Sequence, residues 1–182
     1  MQKLFWVLRA IIYRLKFKKI GKLSYIGKPL LIIGSKNICL GNKVRIYPGA
    51  RIELHGEGNL QIHDNCSIGH GLHLVASDTL TIGANTTISS NVLITDTDHE
   101  YQQLDVHILK QKHLIKQTTI SENCFIGAGA KIHPGTFLGK QCIVGSNAVV
   151  KGRYPDYCVI AGVPGRIVKK YNLETREWEK VN

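Results

Sequence analysis

The first acidic residue of this 182-residue chain is Glu53. Residues 1–52 carry 12 Lys and Arg and no Asp or Glu, whereas the remaining 130 carry 12 basic and 13 acidic residues. The formal net charge of +11 therefore sits almost wholly in the first third, and such asymmetry points to an anionic partner for that end. No nucleic-acid recognition motif accompanies the basic stretch, so a membrane surface is expected as that partner and nucleic acid is not. Long apolar runs are also missing. Arg9 and Arg14 interrupt the hydrophobic start, which excludes a transmembrane span and a signal-peptide core and leads to the expectation of a cytoplasmic protein. The five cysteines (Cys39, Cys66, Cys124, Cys142 and Cys158) show no CxxC spacing, so buried free thiols in a reducing compartment are expected. The length and 43% hydrophobic content suit one globular domain with short appendages.

What the chain has in abundance is a period of six. Ile120, Ile126, Ile132, Leu138, Val144 and Val150 stand in one unbroken register, and small residues (Cys124, Ala130, Thr136, Cys142, Ala148) fill a fixed offset. An α-helix has no such period, and a half-buried strand repeats every two residues. Short strands joined by tight corners, stacked as a parallel β-helix, do repeat this way. The same register runs through Ile20, Ile26, Ile32 and Ile38, then Leu40, Ile46 and Ile52, then Ile62, Ile68 and Leu74, then Ile82, Ile88 and Ile94. Each break is a slip of register, read as an insertion at a corner.

The appendages follow from where the repeat stops. Residues 1–19 read as a basic amphipathic helix over Leu4–Lys19, with Leu4, Leu8, Ile11 and Leu15 on one face. That face is expected to lie on an anionic membrane, at the inner surface of the cytoplasmic membrane, or to pack against the protein itself. Residues 20–170 form the repeat domain, interrupted by a long excursion over 95–119, and residues 171–182 form a tail that is a short helix or frayed.

The run ISENCFIGAGAKIHPGTFLGKQCIVGSNAVV, with the closing AGVPGRIV at 161–168, resembles the hexapeptide-repeat acyltransferases, closest to those that O-acetylate sugars and polysaccharides. The resemblance implies an all-β, left-handed parallel β-helix, a homotrimer, acetyl-CoA as donor and a carbohydrate acceptor of surface polysaccharide synthesis such as capsule or lipopolysaccharide. Acyl transfer needs a base for the attacking hydroxyl, and histidine suits that role near neutral pH. TDTDH at 95–99 is similar to the family's catalytic segment, which makes His99 the expected base. Asp96, Asp98 and His70 are the candidates to orient it or to bind the acceptor. By the same resemblance, Phe125, Ala128 and Ser146 would line the CoA groove, and Lys151, Arg166 and Lys169 would meet its phosphates.

Two departures bear on specificity. Gly69-His70 stands where disaccharide acetyltransferases carry an acceptor-binding Asn, and Lys151-Gly152 replaces the usual Thr-Lys. Two other activities remain open on this fold: N-acetylation of an amino sugar nucleotide, and a γ-type carbonic anhydrase. The second needs two zinc-ligating histidines five apart; the histidines at 55, 63, 70, 73, 99, 107, 113 and 133 offer no such pair, so no metal is expected. His63 and His133 fall at hexad corners and read as structural.

Overall fold

The computed structural model describes residues 2–181 and is a left-handed parallel β-helix of short strands. Its coils wind through three faces. Face I runs from Lys19–Ile20 to Arg153–Tyr154 in seven strands, face II from Tyr25–Ile26 to Cys158–Ala161, and face III from Leu31–Ile33 to Val149–Val150 in six strands.

The sixfold period becomes three inward columns. Ile20, Leu40, Ile62, Ile82, Ile120, Leu138 and Tyr154 pair rung to rung on face I. Face II stacks Ile26, Ile46, Ile68, Ile88, Ile126, Val144 and Ile160. Face III stacks Ile32, Ile52, Leu74, Ile94, Ile132 and Val150. From Leu40 onward nearly every one of these is fully buried, and each such aliphatic side chain contributes about 1.5–3 kcal/mol.

The corners explain the rest of the pattern. Face I always reaches face II, and face II reaches face III, in six residues. The tight turn between faces I and II needs a left-handed residue, supplied by Asn65, Asn85 and Asn123 at φ of 58°, 58° and 59°. Every slip of register falls at the third corner, between faces III and I. That corner therefore accepts the inserted His55–Asn59 turn and the long 95–119 excursion without disturbing the columns.

Four of the five cysteines are buried at the first corner, whereas Cys39, expected to be buried as well, is half-buried on the face I strand Ile38–Leu40. Ser24, Cys66, Thr86, Cys124 and Cys142 occupy the same small position on different coils. Each donates to a carbonyl of the next coil: to Gly41 O at 2.9 Å, Gly83 O at 3.2 Å, Ser121 O at 3.1 Å, Gly139 O at 3.2 Å and Pro155 O at 3.2 Å. The position takes a small side chain, Val44 on the second coil included, and a hydroxyl or thiol there gains a hydrogen bond as well. All five cysteines are free, and burial pushes the Cys66 thiol up.

Three expectations about the appendages need correction. The N-terminal helix, α1, spans Gln2–Tyr13 and does not reach Lys19. Its last turn tightens as Phe17 is drawn into the core and stacks on Tyr13 with centroids 5.2 Å apart. Of the two alternatives for the face carrying Leu4, Leu8, Ile11 and Leu15, packing against its own β-helix is not what the structure has. Trp6, Ala10 and Tyr13 face the β-helix, with Trp6 against Tyr25 (5.7 Å) and Tyr47 (5.5 Å). Leu4, Leu8, Ile11 and Leu15 point outward. A helix apolar around most of its circumference has no single stripe, and the aromatic pair on face II decides which side docks.

The tail is neither helical nor frayed: Arg166–Asn172 and Glu177–Lys180 form an antiparallel hairpin that extends face II beyond Cys158–Ala161. Tyr171 and Trp178 meet edge to face at 5.5 Å, a cross-strand pair that fixes its register.

Candidate active site

The excursion at the third corner is itself ordered. Thr97–His99 and His113–Ile115 pair as an antiparallel ribbon in the register His99 to His113. A 3-10 turn at Ile108–Lys110 lies at its tip. Gln111 is the buried brace of that tip: Nε2 donates to the carbonyls of Gln103 (3.1 Å) and Val106 (3.0 Å), and Oε1 accepts from the Gln103 amide (3.1 Å).

The root of the ribbon is held by Asp96. This carboxylate is fully buried and accepts from the amides of Ser77 and Asp78, both at 2.9 Å, and from the Thr97 hydroxyl at 2.6 Å. The Asp96 carbonyl accepts from the Lys116 amide at 2.8 Å, closing the ribbon's other leg. Asp96 therefore anchors the place where the chain leaves the coil, and its oxygens are engaged there rather than on His99. Asp98 is exposed and its Oδ1 accepts from the backbone amide of His99 at 2.9 Å. His70 lies one coil beyond Tyr47 and meets it edge to face at 5.3 Å, at the opposite edge of face III from the ribbon.

His99 is half-buried, with its ring 4.5 Å from that of His113. Its Nδ1 is buried and makes no hydrogen bond with the described residues. The two imidazoles close one end of a pocket of ≈ 320 Å³ on the outer side of face III, floored by Val75, Leu93 and Thr95 and bordered by His55. This arrangement can hold a hydroxyl-bearing group beside an imidazole.

Beside the pocket lies a cluster that sequence reasoning missed. Glu53 accepts from Arg51 Nε (2.6 Å) and Nη2 (3.1 Å) and meets His73 Nε2 at 3.1 Å, with His55 Nε2 at 4.0 Å. The Arg51 guanidinium, and secondarily His73, hold the Glu53 carboxyl below the usual carboxylate range against the opposing effect of its burial. The signal was available: positions 51, 53 and 55 alternate onto one face, and Arg51 pairs with His73 one coil on. Among the described residues, no three His, Cys, Asp or Glu converge as metal ligands.

The expected donor residues fall into two groups. Phe125 is 46% exposed on the outer side of face II. Ala128 and Ser146 are exposed on successive coils at the corner between faces II and III, where the Asn147 amide donates to the Ala128 carbonyl at 2.8 Å. Gly127 lies beside them; a Cβ there would come within 2.6 Å of the Ser146 amide nitrogen. Lys151 and Arg166 line one cleft of ≈ 660 Å³ with Arg153 and Tyr154, at the C-terminal end of the coil. Arg153 stacks over Phe137 at 4.3 Å. Lys169 pairs with Val159 on the hairpin and does not line that cleft. Within one chain, the corner carrying Ala128 and Ser146 and the ribbon carrying His99 stand at opposite edges of face III.

Comparison with known proteins agrees with the fold. The family described as bacterial transferase hexapeptide (six repeats) matches residues 117–152. WbbJ of Escherichia coli K12, described as a lipopolysaccharide biosynthesis O-acetyl transferase, is 33% identical over 159 residues, covering 84% of this chain and 81% of that protein. The serine acetyltransferase of Staphylococcus aureus is 31% identical over 127 residues, and this chain spans about half of its length (49%, for 70% of this chain).

Among solved structures, AntD, an N-acyltransferase from Bacillus cereus in complex with dTDP and 3-hydroxybutyryl-CoA, superposes with a TM-score of 0.79 at 20% identity. That match covers 92% of this chain and 90% of AntD. A galactoside acetyltransferase in complex with coenzyme A gives a TM-score of 0.65 at 22% identity, over 96% and 77% of the two chains. At such identities the structures speak for the fold, and the sequence match to WbbJ speaks for the family. By repeat, coil and kinship together, the chain belongs to the hexapeptide-repeat acetyltransferases.

Proposed function

We propose that this protein moves an acetyl group from acetyl-CoA to a hydroxyl of a carbohydrate acceptor in bacterial surface polysaccharide synthesis, with His99 as general base. The observation that carries the reading is the His99 imidazole. It is fixed on an anchored ribbon at a small pocket, and its Nδ1 has no partner among the described residues. The similarity to WbbJ over four-fifths of both chains supports the acceptor class.

The chemistry follows. The imidazole takes the hydroxyl proton as the acceptor oxygen attacks the thioester carbonyl. The tetrahedral intermediate collapses with cleavage of the carbon–sulfur bond, and the imidazolium returns its proton to the departing CoA thiolate. The cations Lys151 and Arg166 suit the phosphates at the far end of the donor, and the exposed ring of Phe125 suits the pantetheine arm. Because the donor corner and the His99 ribbon lie at opposite edges of face III, the ribbon of one copy serves the donor corner of the next. A closed homotrimer supplies three such sites. The buried free thiols fit a reducing cytoplasm.

The deciding experiment replaces His99 by Ala. The rate of acetyl transfer, kcat, should fall by about 10²–10⁴ while CoA binding persists. An active variant would mean that another group is the base. A panel of hydroxyl sugars, amino sugar nucleotides and lipid-linked sugars, read by mass shift, separates O- from N-acetylation.

A further inference from the structure

Helix α1 has two apolar sides and the β-helix uses one. The docked side is specific: Trp6 seats on Tyr25 and Tyr47, and Arg9 Nη1 donates to the Ile26 carbonyl at 3.1 Å. The Gly27 amide donates to the Ile46 carbonyl of the second coil, which turns the Ile26 carbonyl of the same peptide, and others like it on the first coil, outward. Arg9 caps one of these, so the helix covers the open edge of the coil. Its orientation is thereby fixed, and so is what the other side presents. Leu4 (63%), Phe5 (62%), Leu8 (48%), Ile11 (52%), Ile12 (58%) and Leu15 (90%) all face outward. A contiguous outward apolar face of this kind marks an interaction surface.

The occupant follows from charge. Lys3, Arg14, Lys16 and Lys18 are exposed on the helix and the segment that leaves it, and no acidic residue precedes Glu53. Oil on one side with cations around it and no acid nearby complements a surface that is apolar within and anionic at its rim. We infer that the outward face of α1 docks the protein on the surface of an anionic lipid bilayer. The helix lies in the interface plane. It does not span the bilayer, and among the described residues no helix is long and apolar enough to do so. Each Lys or Arg near such a surface strengthens binding by about fivefold, and salt removes that gain. A trimer would engage up to three such faces, so contacts weak singly hold together.

The test is sedimentation of the full-length protein with vesicles, which needs no assay of acetyl transfer. Vesicles of phosphatidylglycerol and phosphatidylcholine should bind it at low salt at least tenfold more tightly than phosphatidylcholine alone. Binding should fall by more than tenfold at about 0.5 M salt, as the Debye length contracts. The double substitution Leu8→Asp with Ile11→Asp should abolish binding and leave the oligomeric state unchanged by light scattering. Lys16→Glu with Lys18→Glu should weaken binding by at least tenfold with the apolar face intact. No sedimentation of the unaltered protein at low salt would overturn the inference, as would undiminished binding by the Leu8→Asp, Ile11→Asp protein. Dissociation of the oligomer by that pair would also overturn it, and would assign the face to a second copy of this chain.

Discussion

Asp96 allows the sharpest separation of a structural from a chemical role. Its side chain is fully buried and receives three hydrogen bonds, two from amides and one from a hydroxyl. Asp78 is exposed, so water can take over its amide when the carboxylate is removed, and that bond counts for little. The Ser77 amide and the Thr97 hydroxyl are on half-buried residues, and charge-assisted bonds of this kind are worth about 1.5–3 kcal/mol each. Asp96→Ala should therefore cost about 3–6 kcal/mol. For a chain of this size the melting temperature should drop by about 6–24 °C. Asp96→Asn should fall between, because one oxygen still accepts while the new amide turns a donor toward a donor.

Thermal melts at one protein concentration measure the stability. Acetyl transfer and its pH profile, taken well below the lowered melting temperature, measure the activity. Asp96→Ala should lose activity in step with the order of the ribbon, with the pH dependence of the residual rate unchanged. A variant that melts like the unaltered protein, yet is inactive with a displaced pH profile, would refute this reasoning. It would show that Asp96 acts on the His99 ring.

Other outcomes follow from the rest of the site. Lys151→Ala and Arg166→Ala should raise the KM for acetyl-CoA by about tenfold each and leave kcat nearly unchanged, since they meet the donor far from the reacting carbonyl. Steady-state kinetics check this, and an unchanged KM would remove the cleft from the donor site. Glu53→Gln should melt a few degrees lower at neutral pH. The Glu53 carboxyl is held below its ordinary range by Arg51 and His73, so its stabilising contribution is present above the unfolded carboxylate pKa and lost as pH falls through the folded one. The difference between the two proteins should therefore shrink on acidification below the usual carboxylate range, in melts taken at a series of pH values.

The sequence alone carried the coil and the position of its long excursion. Six-residue spacing is a local property: each rung repeats the demand for one inward aliphatic and one small corner residue, so the columns from Ile20 to Val150 could be read without the structure. The interruption between Ile94 and Ile120 marked the excursion for the same reason, and TDTDH marked its first leg. Long-range contacts decided the rest. Asp96 and Asp98 differ only in position on the chain, but the third corner turns one inward onto the Ser77 and Asp78 amides and leaves the other outside. Glu53 meets His73 because 20 residues separate them along the chain while a single rung separates them in space. α1 could not be oriented from its own pattern, because apolar residues surround it and only Tyr25 and Tyr47 choose the face. The tail became a hairpin because the last strand of face II offers an edge to pair with, and an edge exists only once the coil has formed.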